Sequence, residues 1–294
     1  MRLITRADLD GLTCAVLITE IESIDSIELI HPQDLTDKRF KVLPGDIMAN
    51  VPYDPNAGKW FDHHLLTASN PTPPEKFDGA YRHAPSTARI VYEYYNNPKL
   101  KKYDSLVYET DRMDSANLTL EDVLDPKGYI LLGYTIDPRT GLTGFKDYFM
   151  LLLDALKTKT EDQILELPEV KKRVNQMREE WVEFKRLTQE HSRMDGNVVI
   201  TDFRDLDKVP VGNRFLVYTL FPQSNVSIRI HWGPKREFVA AVVGHSIFNR
   251  TCKVNIGELM SEFGGGGHVG AGATPLKLET AEEDLKKMIK RLNA

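Results

Sequence analysis

Two short runs stand out for what their side chains can hold. Asp8-Leu-Asp10-Gly11 sets two carboxylates two residues apart beside a glycine, and Asp62-His63-His64 sets two imidazoles directly after a carboxylate. Carboxylates mixed with imidazole, with no cysteine in either run, suit Mn²⁺ or Mg²⁺ better than structural zinc, and iron and cobalt share that chemistry. The carboxylate before the histidines can also fix a ring tautomer by hydrogen bonding. A further acid, Asp137, lies in Ile136-Asp137-Pro-Arg139-Thr-Gly, where the guanidinium of Arg139 is suited to bidentate phosphate contact. The expected chemistry is that of a divalent cation handling a phosphoester. Asp and Gly are equally what a plain strand-to-helix turn employs, so the first run carries weight only in company with the others.

The elements around these runs decide whether they can meet. Short apolar stretches alternate with amphipathic ones in the first third, predicting strands at 3–5, 26–31, 46–51 and 59–61 and helices at 12–21 and 87–95. Such alternation points to an α/β layer with a largely parallel sheet, and ligands of open α/β sheets gather at the carboxyl ends of the strands. Asp8, Asp10 and Asp62 all follow predicted strands. The helix after Asp10 leaves its first amides facing the same space. Residues 100–157 read as mostly helical, and 161–193 as a charged helical connector. From 194 to 294 the pattern is β-rich, with strands at 198–201, 226–231 and 237–243 and helices at 256–263 and 282–292, predicting a smaller α/β domain.

Several runs could support the chemistry and also have plainer readings. Ser86, in His83-Ala-Pro-Ser86-Thr, is a helix N-cap whose neighbouring amides could take a phosphate oxygen. Asp111-Arg-Met-Asp114-Ser reads as structural, or as orienting groups beside a metal site, ahead of the alternative of a direct part in the chemistry. The glycine run 264–267 ahead of His268 is a turn, or a nest of amides for an anion. His31, His191, His231 and His245 receive no assignment, since a lone histidine is more often packed or solvated than ligating. Lys and Arg within 170–186 are interrupted by Glu179, Glu180 and Glu183, which describes a solvated helix face.

Composition narrows the class. A length of 294 residues suits two domains, and 28% charged with 41% hydrophobic residues describes a globular chain. A net charge of −5 argues against a surface that grips long nucleic acid, which relies on many cationic contacts to phosphate. Cys14 and Cys252 lack metal-type spacing and suit a reducing cytoplasm. No stretch has the length of a signal peptide or membrane span, so a cytoplasmic protein is expected, with a homodimer compatible.

Asp8-Leu-Asp10-Gly, Asp62-His63-His64, Asp137-Pro-Arg-Thr-Gly and Gly264-Gly-Gly-Gly-His268, in this order over almost the whole chain, resemble the successive motifs of the DHH phosphoesterase family. That family includes RecJ-like nucleases, oligonucleotide and phosphoadenosine phosphatases, and exopolyphosphatase-like proteins. The resemblance implies a catalytic DHH domain at 1–160, the connector at 161–193 and a DHH-associated substrate domain at 194–294. It also implies a pair of Mn²⁺ ions. One position maps to Asp10, His63 and Asp137. The other keeps Asp8, but Arg6 stands where the family has a histidine and Asn50 where it has a bridging aspartate. His64 and Arg139 would face the substrate phosphate, with Asp62 orienting. Arg250, Gly265, Gly266, Gly267 and His268, with Ser86, would bind the substrate.

Arginine stays protonated and cannot ligate, and Asn50 offers only a neutral oxygen, so the count is one ion or two. The expected function is hydrolysis of a small phosphorylated substrate or the end of a short single-stranded oligonucleotide. The alternative is a weakened relative that binds a nucleotide or phosphorylated ligand as a sensor.

Overall fold

A computed structural model describes residues 1–64, 66, 72–136 and 145–294, which form two compact units. Unit one takes in Met1–Leu118 and Pro126–Asn175, and unit two takes in Thr119–Asp125 and Gln176–Ala294. The expected connector at 161–193 is thus shared between the units.

Unit one opens β1 (Arg2–Thr5), α1 (Leu9–Ile21), β2 (Ser26–Leu29), α2 (Pro32–Thr36), β3 (Ile47–Ala49), β4 (Lys59–Asp62), β5 (Gly79–Tyr81) and α3 (Thr87–Tyr95). The five strands form one parallel sheet in the order β2-β1-β3-β4-β5. Helices continue with α4 (Asp104–Asp114), α5 (Leu120–Leu124), α6 (Gly128–Ile136), α7 (Phe145–Thr158), α8 (Glu161–Leu165) and α9 (Pro168–Glu190). Of these α5 belongs to unit two, and α9 runs from one unit into the other.

Helix α1 is apolar on all sides because it lies in the middle of unit one, where every residue from Leu9 to Ile18 is buried. Its start is fixed by Asp8, an extended N-cap whose Oδ1 accepts from the Gly11 amide at 2.9 Å. Gly11 is required by close approach, since a Cβ there would stand 2.2 Å from the Arg6 carbonyl oxygen. The chain therefore turns tightly from β1 into α1, which keeps Asp8 and Asp10 at the sheet edge. Thr13 of α1 and Thr110 of α4 share a hydrogen bond at 2.8 Å, which ties α4 to the same core.

Unit two holds β6 (Ser192–Asp195), β7 (Val198–Asp202), α10 (Leu216–Leu220), β8 (Val226–Trp232), β9 (Val239–His245), α11 (Ile256–Glu262), β10 (Gly266–His268), β11 (Ala271–Leu276) and α12 (Ala281–Leu292). Its sheet runs β10-β11-β9-β8-β7-β6, antiparallel except for the β7–β8 pair. Alternate residues Val226, Ile228 and Ile230 of β8 and Val239, Ala241 and Val243 of β9 pack with α11 and α12 in one apolar cluster. The long α9 carries ion pairs along its surface, including Arg186 with Glu183 and Glu190 at 2.6 Å each. This is the solvated face that its mixed charges predicted.

Among the described residues, no helix is long and apolar enough to cross a membrane, and both cysteines are free thiols.

Candidate metal centre

The carboxyl edge of the unit-one sheet gathers most of the expected residues. Asp8 and Asp10 follow β1, Asn50 follows β3, and Asp62 ends β4 with His63 and His64 directly after it. Helix α3 aims its first turn at this edge, and α4 ends there on Asp114.

Asp10 is 2% exposed, and its oxygens accept the amides of Thr87 at 2.9 Å and Ala88 at 2.7 Å. The free amides of α3, expected to be open to a phosphate, are thus given to Asp10. The side-chain cap is taken as well. Ser86 Oγ accepts from the Arg89 amide at 3.0 Å and donates to Asp111 Oδ1 at 2.6 Å, while Arg89 holds the other Asp111 oxygen through Nε and Nη2. Ser86 and Asp111 therefore build the start of α3, a capping role for Ser86 where substrate contact was also expected.

His63 donates from Nδ1 to the Ala84 carbonyl at 2.9 Å, which leaves the Nε2 lone pair available as a ligand. Nε2 is buried, has no hydrogen-bond partner of suitable geometry, and lies 3.0 Å from Asp114 Oδ2 and 4.0 Å from Asp10 Oδ2. One ligand atom from each of Asp10, His63 and Asp114 falls within 4.8 Å of the others, the only such group among the described residues. Exposure rises from buried Asp10 through half-buried His63 to exposed Asp114, so a ligand reaches the group from the Asp114 side.

The protons confirm how crowded the charge is. Burial, with Asp114 adjacent, pushes the Asp10 carboxyl up to about 7. Burial pulls the His63 imidazole down, but the Asp114 carboxylate beside it and the charge on Asp10 outweigh that and push it up to about 9. Asp10 and His63 thus hold protons that a divalent ion would displace. A neutral imidazole nitrogen and two carboxylates fit a hard or borderline divalent ion. The nearby Cys14 thiol, 3.8 Å from Asp10 Oδ1, is pushed far up by burial and stays protonated, so it offers no thiolate.

Asp62 stands outside this group. Its Oδ1 accepts from the His63 amide at 2.9 Å, the His64 amide at 3.3 Å and His64 Nδ1 at 2.8 Å. Burial lowers the His64 imidazole, but the bond to Asp62 prevails and the net direction is upward. Asp62 thus holds the turn and fixes the His64 ring.

Asp8 and Asn50 meet each other instead of joining the three candidate ligands. Asn50 is 1% exposed and sits at φ 60°, a left-handed position that asparagine tolerates better than most side chains. Its Nδ2 donates to Asp8 Oδ1 at 3.0 Å, and Arg6 Nε lies 3.2 Å from Asp8 Oδ2. Asp114, in a run read from the sequence as structural or orienting, is the ligand candidate that sequence reasoning passed over. The available signal was its spacing from Asp111, which puts both on one side of the last turn of α4. Asp137 and Arg139 lie outside the described residues.

In unit two the glycine run reaches into β10, and His268 pairs with Ala271 of β11. A Cβ on Gly265 would stand 2.1 Å from the Ala273 carbonyl oxygen, and one on Gly267 2.3 Å from that of Ala271. The backbone that these glycines admit closely is β11. Gly266 and His268 are exposed, as is Arg250, whose Nε donates to the Ile247 carbonyl at 3.0 Å.

No family model and no curated protein matches the chain. Among solved structures, it is similar to a pGpG-specific phosphodiesterase, PggH, from Vibrio cholerae, with 37% identity over 99% of this chain and 98% of that one and a TM-score of 0.85. The DHH domain of a member of the s1p family of ribosomal proteins shares the fold at 13% identity, over 99% of this chain and 86% of that one, with a TM-score of 0.67. RecJ from Thermus thermophilus in complex with Mn²⁺ shares it at 12% identity, over 99% of this chain and 51% of that one, with a TM-score of 0.61. With the acid and imidazole motifs set at one sheet edge and this degree of identity over the full length, the chain belongs to the DHH phosphoesterase family, among RecJ-like relatives.

Proposed function

We propose that the chain is a divalent-metal-dependent phosphodiesterase that hydrolyses short, 5′-phosphorylated oligonucleotides, with a dinucleotide of the pGpG type as the leading substrate. The observation that carries the metal dependence is the convergence of the buried Nε2 of His63 with oxygens of Asp10 and Asp114 within 4.8 Å. The substrate class follows the similar phosphodiesterase named for pGpG and agrees with a net charge of −5, which disfavours long polymers.

Asp10, His63 and Asp114 would hold Mn²⁺ or Mg²⁺, and Asp137 is proposed to add to them. Such an ion supplies Lewis-acid charge to a phosphoryl oxygen and acidifies water near neutral pH. The residues of the chain do the rest. Asp10, fastened to two backbone amides, keeps its oxygens in one orientation. Asp62 fixes the His64 ring, and a raised His64 presents a donor, and in its charged form a cation, to a phosphate oxygen. Arg139 is proposed as a second phosphate contact, and Arg250 and residues 265–268 as substrate-binding residues of unit two. A reducing cytoplasm suits the two free thiols.

The test is a hydrolysis panel with Mn²⁺: pGpG, another 5′-phosphorylated dinucleotide, a longer single strand, a bis-phosphorylated nucleoside, polyphosphate and an aryl phosphate. Release of mononucleotides from the dinucleotides, lost in His63→Ala and Asp114→Ala, is expected. Dinucleotide binding without turnover at any metal concentration would instead favour the sensor reading, which the Arg6–Asp8 pair supports.

A further inference from the structure

Resting on the metal-dependent reading above, we propose that this centre takes one divalent ion, and that Arg6, paired with Asp8, is a built-in cation occupying the electrostatic place of a second. The case comes from how the lone pairs around Asp8 are used. Oδ1 accepts twice, from the Gly11 amide at 2.9 Å and from Asn50 Nδ2 at 3.0 Å. Oδ2 faces Arg6 Nε at 3.2 Å. A carboxylate oxygen offers about two lone-pair directions, so Oδ1 is filled by hydrogen bonds, and the charge of the carboxylate is matched by the guanidinium facing Oδ2.

Asn50 reinforces this arrangement. A paired metal site needs an anionic oxygen shared between the two ions, or enough carboxylates to neutralise both. Asn50 brings no charge, and the Asp8 carboxylate fixes which end of its amide points inward. Turning the amide over would press its oxygen against Asp8, whereas the present orientation donates a hydrogen bond. Its Oδ1 is left as a buried oxygen with no partner, a single neutral acceptor. Asp62 Oδ1 holds the His64 ring and two amides, and among the described residues the only convergent group of ligand atoms is Asp10, His63 and Asp114. A second divalent ion beside Asp8 would meet one neutral oxygen, one already neutralised carboxylate and a fixed positive charge.

The side chain of Arg6 is 31% exposed, enough for an anionic substrate to reach it. Its charge can balance a phosphoryl oxygen, but it cannot acidify water as an ion does. One ion and one arginine therefore divide what two ions would share.

Metal stoichiometry tests this without recourse to activity. The metal-free protein is dialysed against Mn²⁺ over a concentration series, bound metal is measured by mass spectrometry, and the ion is read by electron paramagnetic resonance. The expected result is one tightly held Mn²⁺ per chain with the spectrum of an isolated ion, and none in His63→Ala. Two tightly held ions with a spin-coupled spectrum would overturn the proposal while leaving the metal-dependent reading intact. No bound ion would overturn both. The double variant Arg6→His, Asn50→Asp supplies an imidazole and an anionic oxygen at the two positions, and aspartate also tolerates the left-handed backbone at position 50. It should gain a second ion and spin coupling. A folded double variant still limited to one ion would refute the assignment of Arg6 and Asn50 as the residues that exclude it.

Discussion

Asp8 and Asp10 are two residues apart on one turn, yet their surroundings differ in almost every respect. Asp10 is buried, holds two amides of α3, and faces Asp114 and Nε2 of His63. Asp8 is partly exposed, caps α1, and is matched by Arg6 and Asn50. The same side chain at the same strand end thus joins a convergent group of acid and imidazole in one case and is a charge-matched anchor in the other. What separates them is the group contributed by another strand or helix: His63 and Asp114 toward Asp10, Asn50 toward Asp8. Local sequence selects the residue type, and distant partners select its charge balance.

The strongest way to break this contrast is to exchange the two carboxylates. Asp10→Ala should abolish Mn²⁺ binding and hydrolysis together, by calorimetry and dinucleotide turnover, whereas Asp8→Asn should retain the ion. Loss of the ion in both variants would make the two acids equivalent and end the comparison. Next in size, Asp62→Asn should weaken hydrolysis by about 10- to 100-fold, the usual effect of removing a group that orients one beside a metal, with the ion still bound. An Asp62→Asn protein that releases its metal would place Asp62 among the ligands.

The pH dependence sharpens the same difference. In the metal-free protein both Asp10, at about 7, and His63, at about 9, bind protons more tightly folded than unfolded. The contribution of Asp10 to stability is therefore lost as pH rises from about 4 through 7, and that of His63 from about 6.5 through 9. A divalent ion displaces those protons, so the thermal stabilisation by Mn²⁺ should grow between pH 6 and 9 in steps of roughly the cited values. Stabilisation that is flat with pH would mean that these two groups do not hold the ion. The smallest effect expected is that of Ser86→Ala, which should cost about 1 kcal/mol of stability through the lost cap while leaving the ion in place, measured by chemical denaturation.

Much of this arrangement was legible in the sequence because it depends on local rules. The apolar strand 3–5 ending in an Asp-x-Asp-Gly turn, and the strand 59–61 ending in Asp62-His63-His64, locate their side chains at a sheet edge by periodicity and turn chemistry alone. The parallel sheet and the later β-rich unit were readable for the same reason. Other elements were not, because their strand character comes from a neighbour. Gly79-Ala-Tyr81 is too short to show alternation, and β6 is polar. Strand β11 contains Gly272 and Pro275, yet it pairs with β9 along its whole length. Its pairing with β10 ends at Ala273, so at Pro275 the strand is an edge, where a missing N–H costs nothing. Asp114 was missed on similar grounds. Nothing in Asp111-Arg-Met-Asp114 distinguishes the acid that braces α3 from the one that meets His63, and only the packing of α4 on α1 decides it.

The grip of α3 on Asp10 bears on which ions the centre will accept. A carboxylate free to swing can lengthen or shorten its reach to suit the ion, but Asp10 cannot turn without stripping two amides of their acceptor. At the proposed centre, ions with bonds near 2.0–2.1 Å, such as Mg²⁺, and Ca²⁺ at about 2.3–2.6 Å should therefore bind unequally, a difference that competition between the two ions would measure. Discrimination by ionic radius would then be set by the end of a helix that itself supplies no ligand.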